Sequence, residues 1–295
     1  MKKIAIYLLL TTIASFALAH SYKKDYDLAQ KDSKAQEEVL EKWEKEEPDN
    51  PEMLLAAFDY YSKKGREEVV TIDENPIGRT ATPLKGDNGA HVGYMNHSWK
   101  YDRTNLATAL QYIDKGITRN PDRIDMRIQK ITVLTHNFSY DAMAKELVKM
   151  LEHSVANENA WRWIDGKRIA YPKEYMLSTT QAYFLLLYNK AGERQMDNLS
   201  LICKTTLKYY PNDVESSVNL GLIQTLEKNY EAALLSLHKA NKIKPNDPVI
   251  LNDIAYCYQQ TNDIVSAIKY YEQVVKYASG ALQDDARARL KALRG

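Results

Sequence analysis

Two prolines, Pro211 and Pro245, stand 34 residues apart, and the residues between them recur one step later. Leu220-Gly221 returns as Ile254-Ala255, Tyr230 as Ile264, Ala233 as Ala267, Leu237 as Tyr271 and Ala240 as Val274. Inward apolar positions at helical spacing, repeated at one fixed period, restrict the chain to stacked helical hairpins in which each unit buries its face against its neighbours. Gly221 and Ala233 are small where the two helices of one hairpin cross. The proline follows the second helix because it cannot continue one.

Laid along the whole chain, the period divides residues 33–295 into one solenoid. A lone helix covers 33–47, after a loosely ordered segment at 20–32. The first repeat joins 51–65 to 103–123 and is split by an insertion at 66–102. A second repeat covers 124–157, an insertion follows at 158–172, and three repeats occupy 180–213, 214–247 and 248–281. A charged helix at 282–294 then closes the last apolar face, as solenoids require. In the second insertion, Asp165-Gly166 between strand-favouring residues predicts a short β-hairpin. The first insertion reads as a loop that lays Tyr94 and Trp99 on the helices.

The paired positions Leu220-Gly221, Tyr230, Ala233, Ala240 and Pro245, with Ile254-Ala255, Tyr258, Ala267, Tyr271 and Val274, resemble the tetratricopeptide repeat family. A narrower resemblance is to exported tetratricopeptide proteins of Bacteroides-type bacteria. The resemblance implies an all-α, right-handed superhelix of helix-turn-helix repeats. It also implies a concave face, lined by the first helix of each repeat, that binds a peptide or protein and performs no catalysis. Carried onto this chain, that face comprises Ile128, Thr132, Phe184, Tyr188, Val218, Leu222, Asn252, Tyr256 and Gln259. Family members that clamp a peptide carboxylate use paired Lys and Asn residues there. The matching positions here are Val218, Leu222, Asn252 and Tyr256, which argues for an apolar-aromatic groove holding an extended peptide or a helix instead.

Residues 1–19 read as an export signal: Lys2 and Lys3, an apolar run from Ile4 to Phe16, and Ala17-Leu18-Ala19 at the cleavage point. A spanning helix needs about 20 apolar residues, more than this run supplies. The expectation is a periplasmic or secreted protein. Losing two lysines takes the formal charge from +1 to −1, too little field to draw nucleic acid. Cys203 and Cys257 fall on helices a repeat apart, beyond the roughly 7 Å that a disulfide spans, so two buried free thiols are expected. With 21 tyrosines against 4 phenylalanines, helix seams are expected to be filled by rings whose hydroxyls reach a polar partner.

No phosphate loop, dinucleotide fingerprint, nucleophile elbow or HExxH helix occurs, so no cofactor and no enzyme activity are expected. His91, His97 and Asp102 are metal-capable residue types, but their spacing fits no ligand template, and no metal is expected. An alternative reading gives the two insertions a glycan or small-molecule site built from His91, Tyr94, His97, Trp99, Trp161 and Trp163. Its competitor is structural cover over exposed repeat ends.

Overall fold

Seven helices in this chain begin where an Asp or Asn precedes an apolar period. Asp32, Asn50, Asp102, Asp213, Asn229, Asp247 and Asp263 each accept backbone N–H bonds at a helix start, satisfying donors that the helix itself leaves unpaired. The computed structural model describes residues 22–73, 81–191 and 195–295. The expected export signal lies outside the described residues.

The chain divides into two compact units, one with the residues up to Glu146 and 156–175, the other with 147–155 and 176–295. In the first, α1 (22–28), α2 (Ser33–Glu46) and α3 (Pro51–Lys63) precede a sheet of β1 (Glu67–Asp73), β2 (Thr82–Lys85) and β3 (His91–Lys100). There follow α4 (Arg103–Arg119), α5 (Ile124–His136) and α6 (Tyr140–Ala156), the last contributing to both units. α3 packs on α4 although the sheet separates them in sequence. Their seam holds Leu55, Phe58, Ala109 and Ile113, and a second cluster holds Trp43, Met53, Leu54 and Tyr60.

The second unit holds most of α7 (Pro172–Ala191), then α8 (Met196–Tyr209), α9 (Val214–Leu226), α10 (Tyr230–Ile243), α11 (Pro248–Gln260), α12 (Ile264–Tyr277) and α13 (Ala281–Arg294). Consecutive helices from α8 to α13 pack pairwise. The turn inside each hairpin repeats in its backbone as well as its sequence. Lys228 and Asn262 occupy the left-handed region at φ 60° and 61°. Each is followed by a residue whose N–H reaches back into the first helix: Asn229 to Gln224 at 2.8 Å and Asp263 to Tyr258 at 2.9 Å. This is a left-handed helix end closed by a long backward bond. In the first unit Phe138 repeats it at φ 57°, with Ser139 N–H reaching Leu134 at 2.8 Å.

Where α9 and α10 cross, a Cβ on Gly221 would meet Leu237 Cγ at 2.7 Å and Cδ2 at 2.8 Å. Gly221→Ala is therefore expected to destabilise the second unit by about 1–3 kcal/mol through overpacking, measured by urea denaturation followed by circular dichroism. A neutral result would mean that α9 and α10 are held less closely than the structure shows.

Four of the tyrosines sit in helix seams with their hydroxyls engaged. Tyr26 donates to Ala56 O at 3.2 Å, Tyr60 to Glu37 at 3.0 Å, Tyr112 to Glu44 at 2.9 Å and Tyr271 to Gln259 at 3.0 Å. Cys203 and Cys257 are free and buried, and burial pushes both thiols up.

The insertions differ from expectation. The first is a three-stranded antiparallel sheet, ordered β1-β3-β2, rather than a loop. Glu67 pairs with Lys100 and Ile72 with Met95 on one side of β3, and Thr82 with Met95 on the other. β-Branched Val69, Val70, Thr71 and Ile72 suit a pleated strand, and Gly89 at φ 76° turns β2 into β3. In the second insertion Asp165 and Gly166 do form a tight turn, at φ 58° and 68°. The ladder stops at one bridge, Arg162 to Arg168, and residues 164–166 form a 3-10 turn, so no hairpin develops. The other edge of Arg162 is already taken: its N–H donates to Asp122 O at 2.9 Å and its carbonyl accepts from Ile124 N–H at 3.1 Å. That carbonyl serves the start of α5, where Arg123 offers no side-chain cap.

Candidate functional site

In the second unit the first helices of successive hairpins lie side by side. Asn219 on α9 donates to Gln181 on α7 at 2.7 Å, and Thr225 on α9 lies 3.3 Å from Cys257 Sγ on α11. α9 also approaches α11 directly. Tyr188, Val218, Leu222, Asn252, Tyr256 and Gln259 are all half-buried on these helices, apolar or amide-bearing and open on one side. Leu185, Leu226 and Val249 add exposed apolar surface to the same three helices.

Tyr256 and Gln259 are positioned from α13. Arg289 Nε donates to Asp285 at 2.7 Å and its Nη1 to the Tyr271 hydroxyl at 3.4 Å. The guanidinium centre stands 5.9 Å from the Tyr256 ring and 5.8 Å from that of Tyr271. Tyr271 in turn holds Gln259. This chain of contacts orders the end of the face before any partner arrives.

Phe184 is a correction. At 2% exposed it belongs to the core, not to a partner-facing surface. On the long helix α7, Met176, Thr180, Phe184 and Leu187 form the inward stripe, which leaves Gln181, Leu185 and Tyr188 on the other side at helical spacing. Ile128 and Thr132 are half-buried on α5 in the first unit, where the Thr132 hydroxyl donates to Ile128 O at 2.8 Å.

Asp253 was missed by sequence reasoning. It is a carboxyl on α11, one turn from Cys257 and beside Asn252. Burial pushes it up to about 6, its hydrogen bond with Asn252 works the other way, and Asp247 adds to the rise. Asn252 Oδ1 is buried without a hydrogen-bond partner. A carboxyl whose folded pKa is raised binds more protons when folded than when unfolded, so stability falls as pH rises from about 4 to about 6. Asp253→Asn is expected to stabilise the second unit at pH 7 and to lose that advantage below pH about 4. Thermal melts of both proteins across this range decide it; a constant difference at all pH values would contradict the assignment. An acid with Val249, Ile250, Tyr256 and Cys257 three and four positions away on the same helix was the available signal.

The insertion residues are mostly engaged in packing. Trp161, 2% exposed, is a second correction to the ligand reading, because it lies in the core. Trp99 packs against the α3–α4 core with Arg66 stacked on its ring at 3.9 Å. Ile164 of the other insertion packs on the same cluster. His91 is exposed and meets Tyr94 edge-on at 4.5 Å, while the His97 side chain lies outside the described residues. Asp102 caps α4 by accepting Asn105 N–H at 2.8 Å. Among the described residues no three His, Cys, Asp or Glu side chains converge as a metal site. Trp163 stays half-buried and meets Tyr175 edge-on at 5.8 Å.

Residues 224–293 match the tetratricopeptide repeat family model. No curated protein sequence matches the chain. Among solved structures, the chain is similar to PcrH in complex with the chaperone binding region of PopD. The identity is 22%, over 41% of this chain and 92% of that one, with a TM-score of 0.38. It is also similar to Pseudomonas aeruginosa pilF, at 16% identity over 65% and 82% and a TM-score of 0.38. MamA protein matches at 11% identity over 63% and 87%, with a TM-score of 0.38. The described residues are mostly α-helical with one small sheet, and the match to the tetratricopeptide repeat model falls on the hairpins of the second unit.

Proposed function

We propose that this chain is a non-enzymatic scaffold that binds a protein or peptide on the face formed by α7, α9 and α11. The observation that carries the proposal is a row of half-open Tyr188, Val218, Leu222, Tyr256 and Gln259 across three adjacent first helices, with the match to the repeat family beside it. Such a groove suits an extended segment or a helix whose apolar side chains anchor at helical or strand spacing. Tyr256 is the expected anchor, since its ring is held in place while one side stays open.

The reading extends to location. The lysine start, apolar run and Ala-Leu-Ala end of residues 1–19 support export of the kind seen in Bacteroides-type tetratricopeptide proteins, to the periplasm or beyond. Among the described residues no helix is long and apolar enough to cross a membrane. The partner is then a protein met outside the cytosol.

Tyr256→Ala is expected to weaken partner binding by more than about 1 kcal/mol, several-fold in Kd, without unfolding the protein. Calorimetric titration of the partner recovered from the exported fraction checks this. Unchanged affinity for the variant would remove the anchor. Detection of the mature chain in the cytosol alone would refute the location.

A further inference from the structure

The second insertion carries a feature that its structural role does not use. Arg162 and Arg168 face each other as partners of an antiparallel bridge. Side chains directly opposed in such a bridge start about 5 Å apart on one face, and like charges there repel. Among the described residues neither guanidinium makes an ion pair, and the Arg162 Nη1 contact is to the Gly166 carbonyl at 3.2 Å. The other arginine of this group, Arg123, is buried and fully matched by carboxylates. Only the exposed pair is left without a counter-charge.

The same segment concentrates backbone strain. Glu158, Asn159, Asp165 and Tyr171 all have positive φ, between 52° and 59°. Left-handed conformations at residues other than glycine cost energy and persist where surrounding structure enforces them, often at ligand sites. Here the enforcement comes from beneath, through Trp161 in the core, the Arg162 backbone bonds to Asp122 and Ile124, and Asp165 N–H to Glu52 at 3.3 Å. Tyr171, three positions after Arg168, is 79% exposed, and Tyr175, edge-on to Trp163, is 36% exposed. A rigid base bearing exposed cationic and aromatic side chains within ten residues is a preorganised surface.

We propose that this surface binds an acidic oligosaccharide, with the Arg162 and Arg168 guanidinium groups on a sugar carboxylate and Tyr171 against the apolar C–H face of the adjoining ring. Paired guanidiniums match the planar geometry of a carboxylate. The exposed ring favours a sugar over an acidic peptide, which has no flat apolar face to lay on it. Nucleic acid would call for a broad basic field, and the formal charge of the chain is only +1. The site shares no residue with the proposed α7–α9–α11 face, so either stands if the other fails.

The test is titration of the full chain, followed by tryptophan fluorescence, with a short uronic-acid oligosaccharide. A neutral glucan of the same length, oligoglutamate and a single-stranded oligonucleotide are run in parallel. The uronate is expected to bind most tightly and to weaken as salt is raised. Replacing Arg162 and Arg168 together by alanine is expected to cost roughly tenfold or more in Kd. Tyr171→Ala is expected to weaken the uronate several-fold and leave any oligoglutamate binding unchanged. The segment is held by backbone bonds and by Trp161, so these side-chain changes preserve the circular dichroism spectrum. Lysine at both arginine positions is expected to retain the salt dependence while losing most of the affinity. Tighter binding of oligoglutamate or the oligonucleotide, absence of uronate binding, or indifference to the arginine pair would overturn the proposal.

Discussion

Arg123→Met is expected to lower the stability of the first unit by about 3–5 kcal/mol. Arg123 Nε and Nη2 each donate to Asp125 at 2.8 Å, and Nη1 donates to Glu52 at 2.7 Å. The Arg123 side chain is 6% exposed and that of Asp125 1%. Burial disfavours the charge on Arg123, and the two carboxylates outweigh it. Removing the cation strands both acids in a poorly hydrated seam, which accounts for the size of the loss. Combining Arg123→Met with Asp125→Asn and Glu52→Gln is expected to restore part of it, because no unpaired charge then remains. Urea denaturation followed by tryptophan fluorescence reads this unit selectively, since Trp43, Trp99, Trp161 and Trp163 all belong to it. A loss below about 1 kcal/mol, typical of an exposed pair, would show that the network is solvated.

Trp161→Ala is expected to cost a comparable 3–5 kcal/mol, roughly, through lost burial and the cavity left behind. It would also free the segment that covers the start of α5, because the Arg162 backbone is placed by its neighbour. The consequence is specific: amides of Ile124 and Arg162 should lose hydrogen-exchange protection together, since one bond serves each. If the insertion were only appended to the helices, Trp161→Ala would leave stability and α5 protection unchanged. Both outcomes are read in one exchange experiment.

The two variants bear on what is legible in a chain like this. Seven of the helices can be read because two signals coincide: an Asp or Asn cap and a 3.6-residue apolar period. Each is local, so a single sequence contains it. The β1–β2–β3 sheet is harder to see. β1 pairs with β3 across the intervening residues 74–90, and Gly93 and Asn96 interrupt the alternation in β3, although Asp87-Asn88-Gly89 carried a usable turn signal. The Asp165-Gly166 turn forms, but the hairpin does not. A competing partner decides this, because Arg162 bonds to residues 122 and 124, far off in sequence.

The candidate face shows the same division. Val218, Leu222, Tyr256 and Gln259 can be placed because α9 and α11 keep the 34-residue frame. Phe184 cannot, because α7 runs 20 residues and α9 and α11 13 each, and the longer helix turns a different stripe inward. Trp161 reads as a ligand anchor from residue type alone, and only packing shows it to be core. Arg162 and Arg168 are six positions apart, and their juxtaposition depends on a turn geometry that charge counting does not see.

The most direct test of the account places a photo-crosslinking residue at Leu222, on the open side of α9, and in a second protein at Leu235 on α10, which is 76% exposed. Both are introduced into the full chain in its own cell, and adducts are identified by mass spectrometry. The account predicts one partner captured from Leu222, lost when Tyr256→Ala is added, and absent from Leu235. Capture of that partner from Leu235 and not from Leu222 would contradict it.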